Sequence, residues 1–196
     1  VPPSFLKHAD EQTVACLAAV LEAIAASNLA PEGPGVFARW AAVCGPRFIG
    51  RDVIAQAVPN FRTEGPWGVS PHVIPHRSLH SPSGALSVAL GIQGPNLGAG
   101  GGNGSEAEAL LTALTLLWGQ KPPGVWLVTS SQSLDGVTEA CALALASDGE
   151  GPVLSLRIGH QAGEPFSLAS LLAGRPCVVP GLGRATIRSL RHAALR

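Results

Sequence analysis

Residues Gly100 to Gly104 form a run of glycines broken only by Asn103, and they lead straight into an apolar stretch, Ser105 to Gln120. Within that stretch Ala109, Leu110, Ala113, Leu114, Leu116 and Leu117 recur at helical spacing, and apolar residues cover most of the circumference. Such a helix has to be buried on several sides. Upstream, Gly94-Pro95-Asn96 reads as a turn, and Leu97 to Ala99 opens a short strand. Strand, glycine turn and buried helix make an elbow that presents one residue at a helix N-terminus. There the helix dipole and unpaired N–H groups lower the pKa of a thiol and stabilise an anion. The tip residue is Asn103, whose amide cannot form an acyl intermediate, so the sequence argues against covalent catalysis at this position.

The remaining pattern predicts alternating helices and strands. Asp10 to Ser27 reads as a helix with Asp10 as N-cap and Val14, Leu17, Ala18, Leu21, Ile24 and Ala25 as its apolar face. Gly35 to Cys44 reads as a buried strand and Ile49 to Val58 as a short helix. Pro59 to Pro82, dense in Pro and His, reads as an irregular loop of functional or interface character. Ser83 to Leu90 is expected to be a helix closed by Gly91, and Gly124 to Ser130 a buried strand. Ala140 to Ala146 and Val153 to Ile158 flank Asp148-Gly149-Glu150-Gly151 and read as a two-stranded hairpin. Phe166 to Arg196 is expected to hold one or two short helices, with Arg184, Arg188, Arg191 and Arg196 on a solvated helix end. The order specifies an α/β layered fold, and 196 residues suffice for one sizeable core but not two full domains.

Composition narrows the function classes. Thirteen basic residues balance thirteen acidic ones without a Lys/Arg cluster, which argues against nucleic-acid and electrostatic membrane partners. No stretch reaches ~18 uninterrupted apolar residues and no signal peptide opens the sequence, so the expected location is cytoplasmic. Cys16, Cys44, Cys141 and Cys177 form no CxxC pair. Cys16 and Cys141 read as buried, reduced thiols.

Several residues invite a ligand reading. Gly102-x-Gly104-x-x-Ala107 formally matches a dinucleotide fingerprint, but Glu106 and Glu108 in the first turn would repel a pyrophosphate, and Val125 to Ser130 ends without the acidic residue a ribose needs. No cofactor is expected. His72, His76 and His80 are spaced at four, as metal ligands on a helix would be, yet Pro71, Pro75 and Pro82 make them read as loop histidines, and no metal is expected. Ser105 reads as a helix cap. Glu106 and Glu108 read as partners of the helix dipole, not as an acid/base pair. Trp40, Trp67, Trp118 and Trp126 read as core or interface residues.

The stretch Ser83-Gly-Ala-Leu-Ser-Val-Ala-Leu-Gly-Ile-Gln-Gly-Pro-Asn-Leu97, with the glycine turn and the following helix, resembles the β-ketoacyl synthases of the thiolase superfamily. The first helix, Ser70-Pro71 before the Pro-rich stretch, and the strand Val125 to Ser130 fit the same order. The resemblance is strongest over residues 10 to 160, with 161 to 196 as a C-terminal extension of one ketosynthase-like N-terminal-type domain. It implies a thiolase-like half fold, a layered mixed sheet with a buried nucleophile-type helix. It places Asn103 at the position of the family's cysteine, and it implies that the family's C-terminal half, source of its two histidines, lies outside these residues. Chain-length-factor subunits of the family also carry a side-chain amide there and serve an active partner. The resemblance therefore implies a non-catalytic structural or regulatory partner in fatty-acid or polyketide-type biosynthesis. A homodimer is the first expectation, a complex with a full ketosynthase the second, and acyl carrier protein a further partner. The alternative is a diverged acyl-thioester-binding enzyme, a hydrolase or transferase, using Asn103 and a loop histidine. Asn103, Gly102, Gly104, Ser105, His72, His76 and His80 are the candidate ligand or interface residues.

Overall fold

The computed structural model describes residues 6–26, 35–147, 152–159, 163–180 and 182–188. It divides into two compact units, Val1–Leu145 and Ala146–Arg196. The first unit contains α1 (Glu11–Ala26), β1 (Ala41–Arg47), α2 (Arg51–Glu64), a 3-10 turn (Gly65–Gly68), α3 (Val73–Arg77), α4 (Ser81–Leu90), β2 (Asn96–Gly98), α5 (Ser105–Gly119), β3 (Val125–Gln132) and β4 (Thr138–Leu145). Its sheet runs β2-β1-β3-β4. β1 is parallel to β2 and to β3, with Val43 opposite Leu97 on one side and Leu127 on the other, while β3 and β4 are antiparallel. The result is an α/β fold with a mixed four-stranded sheet.

Strand periodicity assigns the layers. Ala42, Cys44, Trp126 and Val128 join Cys16, Leu17, Val20, Ala85 and Leu86 in one cluster, so α1 and α4 cover this face. The alternate residues meet α5, where Ala109, Leu110, Ala113, Leu116 and Leu117 are buried. Burial on both faces explains why β1 and β3 read as continuous apolar runs and not as alternating ones. Trp126 lies at the centre of an aromatic group with Phe37 and Trp40, at centroid distances of 5.6 and 5.7 Å. Trp67 and Trp118 instead stand in solvent, 95% and 84% exposed.

Several expectations need correction. α1 exists, and Asp10 Oδ1 accepts from Gln12 N at 2.9 Å as the expected cap, but its buried face is Thr13, Cys16, Leu17 and Val20. Val14 and Leu21 are exposed. Apolar residues fill nearly every position of that helix, so periodicity alone could not orient it. β1 begins six residues later than Gly35. α2 continues past Val58 to Glu64 with Pro59 inside it. This helix buries none of its residues, so the carbonyl that Pro59 leaves without a donor remains open to water.

The stretch expected to be irregular is mostly helical. Pro66 and Pro82 occupy first-turn positions, where a missing N–H costs nothing, so they mark helix starts. The hairpin forms one Asp-Gly earlier than expected, at Asp135-Gly136, where Ser133 N donates to Val137 O at 2.8 Å. β4 therefore pairs with β3, whose long buried ladder leaves no reason to wait for Asp148-Gly149. Residues 148–151 lie outside the described ones.

The second unit contains β5 (Val153–Ile158), α6 (Leu168–Leu172), β6 (Cys177–Val179) and β7 (Gly183–Arg188) in an antiparallel sheet ordered β5-β7-β6. One short helix is present as expected. Arg184 and Arg188, however, lie on a strand, in keeping with the alternation Ala185, Thr186, Ile187, and Arg191 and Arg196 lie outside the described residues. The cysteines are free thiols. Cys16, Cys44 and Cys177 are buried, and Cys141, on the edge strand β4, is only half-buried. No described helix is long and apolar enough to cross a membrane.

Gly45 sets the distance between α5 and the sheet. A Cβ there would stand 2.8 Å from Ala109 Cβ and from Ser105 O. Gly45→Ala is expected to cost about 1–3 kcal/mol through overpacking, whereas Gly119→Ala, in open space, should be neutral or slightly stabilising. Urea denaturation of the two variants checks the contrast.

Candidate functional site

The elbow is assembled from backbone contacts. Ala42 N donates to Pro95 O and Gln93 N to Ala38 O, both at 2.9 Å, which anchors the Gly94-Pro95-Asn96 turn to the start of β1. Asn96 Nδ2 donates to Ser87 Oγ at 3.1 Å, tying the turn to α4. Beyond β2, Ala99 N donates to Cys44 O at 2.8 Å and Phe48 N to Gly101 O at 2.9 Å, so the glycine loop follows the end of β1. Gly100 has φ 80°, and a Cβ on it would meet the Ser105 Cα at 2.5 Å. A larger residue could not make this turn.

The tip carries an amide held by a cation. Asn103 is exposed, and its Oδ1 accepts from Arg47 Nη2 at 2.6 Å. Gly104, with φ 90°, is the N-cap of α5. Ser105 is the first helical residue and is 1% exposed, which corrects its reading as the cap. The left-handed glycine already turns the chain into the helix, so no capping side chain is required there. Glu106 and Glu108 stand in the first turn, and Glu106 contributes, after burial, to raising the Cys141 pKa.

The histidines assemble elsewhere, and not as a set of three. His72 stacks on His8 with centroids 4.2 Å apart, and His76 lies 5.9 Å from His8 and 5.7 Å from His72. His80 instead contacts Ser83 Oγ through Nδ1 at 3.0 Å. His76 and His80 border a small cavity of about 250 Å³ with Thr13, Ala85 and Val88. Asn103 is not part of its lining. Among the described residues no group of His, Cys, Asp and Glu is arranged to hold a metal ion. Sequence reasoning missed His8, because nothing in the local spacing relates it to residues more than sixty positions away.

A larger cavity, about 680 Å³, opens at the carboxyl ends of β1 and β3 and is bordered by Arg47, Phe48, Arg51, Arg77, Asp10 and Leu134, among others. Ligands of open α/β sheets commonly bind at such strand ends. Arg77 Nη1 donates to Asp10 Oδ2 at 2.7 Å. Gln12 Nε2 donates to Arg47 O at 3.1 Å, and Ser130 Oγ donates to Gln12 Oε1 at 3.0 Å, so a buried polar chain fixes the backbone beneath Arg47. These arginines were also missed. For Arg47 the available signal was a cation that closes an otherwise buried apolar strand.

No family model and no curated protein matches the sequence. Solved structures do resemble it. The ishigamide ketosynthase/chain length factor is 15% identical with a TM-score of 0.58, over 81% of this chain and 51% of that one. The AntDE:AntF complex, a type II PKS acyl-carrier protein with its ketosynthase bound to the hexaketide, is 17% identical with a TM-score of 0.52, over 98% and 51%. The ketosynthase ApeO in complex with its chain length factor ApeC, from Xenorhabdus doucetiae, is 19% identical with a TM-score of 0.53, over 80% and 47%. The chain spans about half the length of these proteins. At such identity the likeness establishes the fold: an α/β arrangement resembling half of a thiolase-like ketosynthase or chain length factor.

The His8 pKa is lowered from its ordinary 6.5, first by loss of water around the stacked ring and then by the charges of His72, Lys7 and His76. The unfolded chain therefore takes up this proton first as pH falls. The stability associated with neutral His8 is complete above pH 6.5 and is lost as pH drops toward the folded value. NMR titration should show His8 with a midpoint below 6.5, and a midpoint at or above it would contradict the stacked cluster.

Proposed function

We propose that this chain is a non-catalytic, ketosynthase-like subunit that supports polyketide- or fatty-acid-type biosynthesis as a structural or regulatory partner. The observation that carries the reading is the Arg47–Asn103 contact at the elbow tip. Where an acyl-transferring relative needs a thiolate, this chain has an amide whose oxygen already accepts a charge-assisted hydrogen bond. A carboxamide so held is not a nucleophile toward a thioester. Of the histidines that a rival acyl-thioester enzyme would use, His76 and His80 border a different cavity from the one beside Arg47.

Partnership has independent support in exposed apolar surface outside α5. Ala109 to Leu117 of α5 is largely buried within the chain, because β1 and β3 provide its packing face. Exposed large apolar residues include Val53, Ile54, Val58 and Phe61 on α2 and, elsewhere in the chain, Trp67 and Trp118. Large apolar residues gathered in this way on a helix with no buried position suit association with another chain. Self-association is the first form proposed, and docking on a full ketosynthase, with or without acyl carrier protein, the second.

Light scattering after size exclusion, on the chain alone and co-expressed with a ketosynthase, tests this. A dimer or a heterocomplex is expected. A monomer under both conditions contradicts the subunit reading. Phe61→Glu and Val58→Glu, both at exposed positions, should weaken the association without unfolding the chain.

A further inference from the structure

The cavity at the carboxyl ends of β1 and β3 carries a charge that the elbow does not use. Three guanidinium groups, from Arg47, Arg51 and Arg77, face two carboxylates, from Asp10 and Asp52. Asp10 compensates Arg77 through a 2.7 Å contact with little exposure of the carboxylate. Asp52 is different: it approaches Arg51 Nε only to 3.5 Å and is 86% exposed, so water screens most of the attraction. Arg47 donates to the neutral amide of Asn103, a partner that cannot cancel its charge. The cavity therefore keeps a positive excess, concentrated on Arg47 and Arg51.

Those two groups also share one aromatic neighbour. The guanidinium carbons of Arg47 and Arg51 lie 5.4 and 5.1 Å from the centroid of one ring, that of Phe48. One aromatic ring attracts both cations, and an anion bound in the cavity that both line would be attracted by each of them. Side chains already positioned on a ring also lose less freedom on binding than free ones would.

We infer that this cavity is a binding site for a small molecule bearing a phosphate group, held by Arg47 and Arg51 with Arg77 as a third donor. A carboxylate offers two oxygens, which one arginine can satisfy in a bidentate fork. Two or three arginines lining one cavity suit a group with three acceptor oxygens and up to two charges. A volume of about 680 Å³ greatly exceeds that of the anion alone and falls in the range of small-molecule sites. The phosphate would thus be one end of an ester whose remaining part reaches the apolar rim at Val53 and Leu134. This inference is independent of the subunit reading, since either can fail while the other holds.

Isothermal titration of the full chain with inorganic pyrophosphate, with acetate as the carboxylate control, tests it. Saturable pyrophosphate binding that weakens with added salt is expected, together with much weaker acetate binding. Arg51→Gln, at a position 60% exposed, should leave the unliganded melting temperature unchanged and reduce pyrophosphate affinity. The reduction should be ~10-fold or more, as loss of a hydrogen bond to a charged group implies. Arg47→Gln should reduce pyrophosphate affinity likewise. Absence of saturable binding at millimolar pyrophosphate overturns the inference. So does equal binding of acetate, or unchanged affinity in both variants, which would place the anion elsewhere.

Discussion

The first unit is organised around two parallel strands, β1 and β3, that are buried on both faces. Because neither strand has a solvent side, helices must cover the sheet above and below, and the chain must cross from one side of β1 to the other to reach β3. α5 makes that crossing. Its approach is set by Gly45, which leaves room for Ser105 O and Ala109 where any Cβ would collide. The glycine loop before α5 is the other half of the same constraint, since the chain has to turn within a few residues from β2 into a helix packed against β1.

That geometry places whatever follows β1 beside whatever precedes α5. Arg47 is the last residue of β1 and Asn103 the penultimate residue of the loop, and their side chains meet at 2.6 Å. The elbow is thus built from backbone contacts that are indifferent to the tip residue, while the chemistry at the tip depends on two side chains. An amide bound to a guanidinium gives a polar, electropositive point at the strand ends. In the proposed reading it supplies a surface for an anion, and an amide is not itself a nucleophile for an acyl group.

The sequence disclosed the layered α/β order, the elbow and the extent of α5, because continuous apolar runs and glycine clusters leave few alternatives. It disclosed less where two signals competed. Asp148-Gly149 read as the hairpin turn, whereas Asp135-Gly136, a second Asp-Gly pair, is the one that joins β3 to β4. Prolines at 66, 75 and 82 suggested a loop, although in the first turn of a helix they are compatible with the regular structure found. The face of α1 was illegible because its apolar residues encircle it. At the site, Asn103 could be placed from local pattern alone. Arg47, Arg51, Arg77 and His8 could not, since their roles arise from contacts between residues distant in the chain.

The central claim is that the elbow is a framework without a nucleophile. Intact-mass spectrometry with peptide mapping, after incubation with an acyl-pantetheine thioester, tests it most directly. The account predicts no acyl adduct on residues 99–105 in the native chain. A stable adduct mapped to that loop would contradict it.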